Sequence, residues 1–299
     1  VAVVGWLRHQ LGPEKVLGAL AWFLLAGGVL QTLAGLVQYL GVYGWLTGWI
    51  APRQSIAIHG NIAQSNHLAT HVTLAALALV YLYAHRRVPY ALVFPLLVLF
   101  AIVLTLSNSR SVWLYVSGVL AFSLVAYGKS RDPVHRRLAT STGLLLALFL
   151  AAQLSMPLVS EWLSLESQTA MQKSLSGSVL PRLVEWHKAW LIFLQSPIVG
   201  VGIGHYGWHS FNLHALPEFM ANPSDALFSH THNLFMQVMA ELGAIGLLLL
   251  VLLLVSWLRQ FFRSWLIPTN WLVASVLLVL FVHSNLEYPL WYSYFLGIA

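Results

Sequence analysis

ELGAIGLLLLVLLLVSWL, residues 241–258, carries one charged side chain, at its first position, followed only by apolar and small residues. At 1.5 Å per residue such a run is long enough to cross most of a hydrocarbon layer about 30 Å thick. Comparable runs lie at roughly 17–40, 66–84, 89–106, 111–127 and 138–156 before it, and at 271–284 and from 289 onward after it. The pattern predicts an all-α, polytopic membrane protein of about eight spans. Its one long interruption, between Met156 and Glu241, holds five of the nine acidic residues, with Glu241 a sixth at its end, and is rich in Gly, Pro and Ser. It reads as a large extramembrane segment between the fifth and sixth spans, so the expected organisation is membrane spans in 1–156, a loop domain in 157–240 and further spans in 241–299.

Composition excludes the soluble alternative. Of 299 residues, 59% are apolar and 8% charged, and the mean hydropathy is +0.75. A soluble fold must cover its surface with polar groups, and this chain has too few. It contains no cysteine, which removes disulfides and thiolate metal sites. Residue 1 is Val and the last residues stop inside an apolar run, so further spans are expected before Val1 and after Ala299.

Lys and Arg in short connections stay in the cytoplasm. Arg8 and Lys15, Arg86 and Arg87, Lys129 with Arg131, Arg136 and Arg137, and Arg259 with Arg263 all fall on one face, ten of fifteen basic residues. The opposite short loops hold only Arg53 and Arg110, so the 156–241 segment is expected outside. Histidine has the reverse distribution. His59, His67, His71, His187, His205, His209, His214, His230, His232 and His283 fall on or near the outer face, whereas His9, His85 and His135 are inside. Any one of these is ordinarily an interfacial polar residue; ten on one side suggest a site.

Four polar clusters mark that outer side: Gly60-Asn61-Ile62-Ala63-Gln64-Ser65-Asn66-His67; Ser107-Asn108-Ser109-Arg110-Ser111; Ser229-His230-Thr231-His232-Asn233, followed by Gln237 and Glu241; and His283-Ser284-Asn285-Leu286-Glu287-Tyr288-Pro289. In the third cluster Asn233, Gln237 and Glu241 recur every four residues and so form one stripe on an apolar helix, facing protein or water. Hydrogen bonding between helices is the ordinary structural reading of such a stripe. His232 falls where that helix begins, and the positive end of the helix dipole favours a neutral imidazole able to accept a proton.

Arg110 is basic on the side where the topology rule disfavours it; snorkelling to the interface is its ordinary explanation. Arg182 opens an amphipathic stretch, Leu183 to Leu194, whose apolar face can rest on a membrane. Guanidinium groups beside a histidine fit an anionic substrate, because they pair well with phosphate oxygens. Gly200-x-Gly202-x-Gly204 is only a fragment of a dinucleotide fingerprint and reads as a flexible turn. His205 and His209 are four apart and His230 and His232 two apart, but there is no HExxH, and no catalytic metal is expected.

His232-Asn233 with Gln237 and Glu241-Leu242-Gly243 resembles the shared core of the O-antigen ligase and polymerase superfamily, the WaaL and Wzy types. GNIAQSNHLA at 60–69 and HSNLEYPLWYSYFL at 283–296 are similar to bacterial protein O-oligosaccharyltransferases of the PglL type. The resemblance implies a GT-C-like fold in the bacterial inner membrane with its site facing the periplasm. It also implies transfer of a preassembled glycan from undecaprenyl diphosphate to Ser or Thr of a pilin-like or other periplasmic protein, with inversion and without metal or other cofactor. The partners implied are the lipid-linked glycan, the acceptor protein and membrane lipid, and no nucleic acid. Within it, His232 or His230 is the expected base, and Arg110 and Arg182 the expected stabilisers of the departing diphosphate. Asn66, His67, Asn233, Gln237, Glu241, His283 and Glu287 are the expected supporting or acceptor-binding residues. Ligation to lipid A-core is the alternative reaction. A transporter or lipid-binding scaffold is the alternative of another class, but it predicts more charge deep within the spans. An intramembrane hydrolase lacks a suitable GxSxG or zinc motif.

Overall fold

The computed structural model describes Gln10 and residues 12–162, 172, 180–220 and 228–298. Arg8, His9, Lys173 and part of the expected 157–240 domain lie outside the described residues. Nine helices of more than one turn are found among them: α1 Pro13–Leu40, α2 Ser65–Ala84, α3 Tyr90–Leu106, α4 Ser111–Ser130, α5 Pro133–Trp162, α6 Leu180–Gln195, α7 Tyr206–His214, α8 Leu234–Phe261 and α9 Asn270–Ser284. Among the described residues there are no strands. Five helices, α1, α2, α4, α5 and α8, are long and apolar enough to span a membrane, and α3 and α9 are shorter apolar helices. The run from 289 onward forms a 3-10 turn, Pro289–Trp291, and one helical turn, Ser293–Leu296. The chain is an all-helical polytopic membrane protein.

Contacts group the chain into two compact units, 1–176 with 265–279, and 177–264 with 280–299. In the first, α2 is the centre. It packs on α1, α3, α4 and α5, and from Leu68 to Leu82 all but His71 are buried. Its sequence suits that position: small Ala and Thr residues let neighbouring helices approach, and Thr70 and Thr73 hydroxyls donate back to the carbonyls of Asn66 and Ala69. Gln64 caps the helix, its side chain accepting the His67 N–H at 2.7 Å. At the far end of the unit Asp132 caps α5, accepting N–H groups from Val134 and His135, with Pro133 at the first helical position, where no N–H is needed.

In the second unit α6 packs on α8 and α7. Its amphipathicity is of an unusual kind. Leu183, Trp190 and Leu194 are exposed, while Glu185 and Lys188 are buried beside Ala189 and Ile192. With Ile198, Val199, Ile203, Trp208 and Phe211 also exposed, this unit carries an apolar surface of the kind that rests in a membrane interface.

The long helix α8 is interrupted at Gly243, whose backbone (φ 66°, ψ −161°) lies where only glycine is at ease. The interruption opens hydrogen-bonding groups, and residues 197–202 meet them. Val201 and Gly202 N–H groups donate to Ala240 and Glu241 carbonyls at 3.1 and 2.9 Å. Ala244 and Ile245 N–H groups donate to Pro197 and Ile198 carbonyls at 2.8 and 3.2 Å. A broken apolar helix survives only where protein satisfies its backbone in this way. The glycine-rich segment at 200–204, expected to be a flexible turn, is therefore pinned along its length, and Gly200 sits so close to the Glu241 backbone that a side chain has no room.

Candidate active site

The third and fourth polar clusters converge in the second unit. Asn233 caps α8, its side chain accepting the Met236 N–H at 3.1 Å, and the preceding turn is tied from three sides. Gln237 Oε1 accepts the Thr231 N–H at 2.9 Å, the Thr231 hydroxyl donates to the Asn233 carbonyl at 2.7 Å, and Trp186 Nε1 on α6 donates to the Thr231 carbonyl at 3.1 Å. This bracing holds His232 in the left-handed region, φ 55°. A non-glycine residue there is uncommon and persists only when its surroundings over-determine it, a frequent feature of functional sites.

So held, His232 meets Glu287. Its Nδ1 lies 2.9 Å from Glu287 Oε2, and Arg182 Nη2 donates to Oε1 of the same carboxylate at 3.0 Å. Glu287 is nearly buried, at 9% side-chain exposure. Burial pushes its carboxyl up, but the hydrogen bond and positive character of His232, then Arg182 and His283, outweigh it and hold Glu287 below its ordinary range. An ionised carboxylate only accepts, so Nδ1 must donate, and in the neutral ring Nε2 is then the free lone pair. Among the described residues Nε2 has no hydrogen-bond partner.

A cavity of about 50 Å³ borders this pair, lined by residues 230–234, Gln237, Ser284 and 287–291. Two buried polar atoms on its wall, His230 Nδ1 and Gln237 Nε2, have no partner among the described residues. His230 lies against the rings of Tyr288 and Trp291, centroids 4.5 and 4.8 Å away. Burial, and then the proximity of His232, lower its pKa. Burial first, then Tyr292 and Glu287, raise the pKa of Tyr288, which stays a protonated donor.

Other expected site residues have different surroundings. Glu241 is buried and accepts N–H groups from Gly204 and Tyr206 at 2.9 and 3.2 Å, capping α7. The side chains of the stripe Asn233, Gln237, Glu241 thus accept four backbone N–H groups, those of Met236, Thr231, Gly204 and Tyr206. His283 is fully buried one turn before Glu287, whose N–H donates to its carbonyl at 2.8 Å. Arg110, Asn66 and His67 belong to the first unit. Arg110 precedes α4 beside buried Ser109 and Ser111, whose hydroxyls are 2.7 Å apart. Asn66 and His67 form the first turn of α2, and the loop before them is fastened to α1. Gln38 accepts the His59 and Gly60 N–H groups, and Gln31 accepts that of Asn61. No three His, Asp or Glu side chains converge as a metal site among the described residues. Trp291 and the Glu185–Lys188 pair carried no expectation; the aromatic density of 288–295 was the available signal for the first.

Residues 95–251 match the profile of a family described as O-antigen ligase. The chain belongs to the O-antigen ligase family. The match takes in Arg110, Arg182, both histidines of the 230–233 turn and the Gly243 break, and ends before Glu287. A general O-oligosaccharyltransferase of Acinetobacter baylyi is 25% identical over 302 residues, 97% of this chain and 50% of the relative. The chain therefore spans about half the length of that curated relative. No solved structure matches.

Proposed function

We propose that this O-antigen ligase family chain is the membrane-embedded transfer core of a protein O-oligosaccharyltransferase, moving a glycan from undecaprenyl diphosphate to a Ser or Thr hydroxyl at the periplasmic face of the inner membrane. The observation that carries the reading is the Glu287–His232 pair beside a cavity with unmet hydrogen-bonding groups. Glu287 fixes the ring with Nδ1 donating, and Nε2 accepts the proton of the attacking hydroxyl. The hydroxyl oxygen bonds to the anomeric carbon from the face opposite the diphosphate, the carbon–oxygen bond to the diphosphate breaks, and the centre inverts. Charge grows on the leaving lipid diphosphate, where Arg182 and Arg110 serve as guanidinium partners. Arg182 is paired with Glu287, so donor binding exchanges or shares that carboxylate for phosphate. Asn66, His67 and His283 are assigned to the surroundings of donor or acceptor. No residue here is assigned to a metal or cofactor.

The protein acceptor is favoured by the Acinetobacter baylyi relative. Transfer to lipid A-core is the second reading, favoured by the family description. Reconstitution of the protein with lipid-linked glycan, offering a pilin-like protein and lipid A-core together, separates them. Glycosylation of the pilin-like protein is the expected result; glycan on lipid A-core alone overturns it in favour of ligation.

A further inference from the structure

The basic turn after α2 builds a cleft of its own, and we propose that it binds the phosphate-bearing headgroup of an anionic membrane lipid. The inference is independent of the transfer reading. The cleft measures about 450 Å³, lies in the first unit where α2 ends, and is lined by Arg86, Arg87, Arg137, Tyr83, Tyr90 and the Val88–Pro89 turn.

Its construction brings three guanidinium groups together. After Ala84 the chain turns sharply: Arg86 is left-handed at φ 59°, its N–H donating to the Tyr83 carbonyl, and the Arg87 N–H donates to the Leu82 carbonyl, both at 2.8 Å. Arg87 reaches across to α1, where Gly18 leaves room for its guanidinium; a side chain at that position would collide with it. Arg137, in the first turns of α5, spends its Nε–H on the Ala84 carbonyl at 2.8 Å, leaving the terminal fork for another partner. None of the three makes an ion pair among the described residues. Glu14 on α1 lies within electrostatic reach of Tyr81 and His85, the neighbours of Arg87, but it forms no ion pair with the three; like charges so gathered repel one another, and a bound anion offsets that cost. The guanidinium fork matches phosphate oxygens two at a time.

A second observation points to lipid rather than free phosphate. Tyr90 opens α3 at the rim of the cleft, 6.0 Å from the Tyr83 ring and 6.3 Å from that of Phe94. Beyond it α3 exposes Leu92, Phe94 and Leu99. A headgroup among the arginines would thus have its acyl chains running down an exposed apolar helix, with tyrosines at the boundary where aromatic residues favour the interface.

The test is lipid retention by the purified full chain in detergent, measured by native mass spectrometry with phosphatidylglycerol, cardiolipin or phosphatidylcholine, with inorganic phosphate as a soluble competitor. The two anionic lipids should be retained over phosphatidylcholine. Arg86→Asn with Arg87→Gln, asparagine being tolerant of the left-handed turn, should weaken retention about 30-fold, as expected for two basic residues near a membrane surface. Arg86→Lys with Arg87→Lys, which keeps the charge but loses the fork, should weaken it less than the neutral variant, and Lys129→Gln with Arg136→Gln, basic residues outside the cleft, should change little. Equal loss in the cleft and control variants, loss in the lysine variant as deep as in the neutral one, or equal retention of phosphatidylcholine overturns the proposal. Displacement of lipid by inorganic phosphate at matching concentration overturns the lipid assignment in favour of a soluble phosphate.

Discussion

Two buried carboxylates of the second unit face partners on the same helix, α6, and differ in what those partners and their neighbours leave unmet. Glu185 is saturated: Lys188 Nζ donates to Oε1 at 2.8 Å, and the Tyr206 and Ser210 hydroxyls donate to Oε2 at 2.8 and 3.0 Å. Lys188 also lies over the Phe219 ring at 5.6 Å. Glu287, one turn of α6 away through Arg182, also has both oxygens occupied, but its partner His232 keeps a ring nitrogen unused, and the neighbouring His230 and Gln237 keep buried atoms unpaired. A closed polar network registers helices against one another. One that leaves donors and acceptors unmatched beside a cavity is poised for a ligand, because those groups gain their missing bonds only when something enters.

That contrast is most severely tested at His232. His232→Ala should reduce transfer by ~10²- to 10⁴-fold, the usual loss on removing a general base, while lipid-linked donor is still bound. His230→Ala should lose less. Full loss in His230→Ala with activity kept in His232→Ala would move the base to His230.

Glu287→Gln should cost about 10²-fold in transfer rate, since the amide can present N–H to Nδ1 and so release the ring from its orientation. Glu287 titrates below its ordinary value of 4.5. The bridge is therefore complete above that pH and is lost only as pH falls through the lower folded-state value. In wild type the stability contributed by the bridge should hold down to pH 4.5 and fall below it in an unfolding titration, whereas Glu287→Gln should show no such fall. An unchanged rate in Glu287→Gln would reduce the bridge to packing.

Arg182→Lys and Arg110→Lys keep charge but lose the planar fork, and each should lower transfer by roughly 10-fold with the protein still inserted. Wild-type rates in both variants would remove these arginines from diphosphate recognition. At the closed network the expectation reverses. Glu185→Gln should destabilise by about 3 kcal/mol, because Lys188 is left buried without its counter-charge, yet the rate per folded molecule should stay unchanged. A rate defect in the folded protein would make the network part of the site.

Much of the candidate site was legible before the fold. The HN pair at 232–233, Arg182 and the Glu287 cluster were visible as residue types that an apolar membrane chain does not otherwise need. What was illegible was their division of labour. Gln237 and Glu241 share a helical face with Asn233, but spacing cannot say that one accepts from the Thr231 N–H and the other from Gly204 and Tyr206. Leu183, Trp190 and Leu194 marked an apolar stripe on α6, yet not that Glu185 and Lys188 on its other side are buried, since a buried ion pair and a solvated one have the same sequence.

The sequence by itself determined what depends on local composition and period: the apolar helices, from runs whose length matches the hydrocarbon layer; the basic-loop alternation; and the helix start at Asn233, a short-range contest between side chain and backbone. Only the tertiary structure decided what depends on residues far apart in the chain. Glu287 lies 55 positions from His232 and 105 from Arg182, and no periodicity links them. The break at Gly243 likewise looked like one more small residue in an apolar run. It is stable because residues 197–202 supply its missing backbone partners, and a hydrogen bond between distant segments is written in neither segment alone.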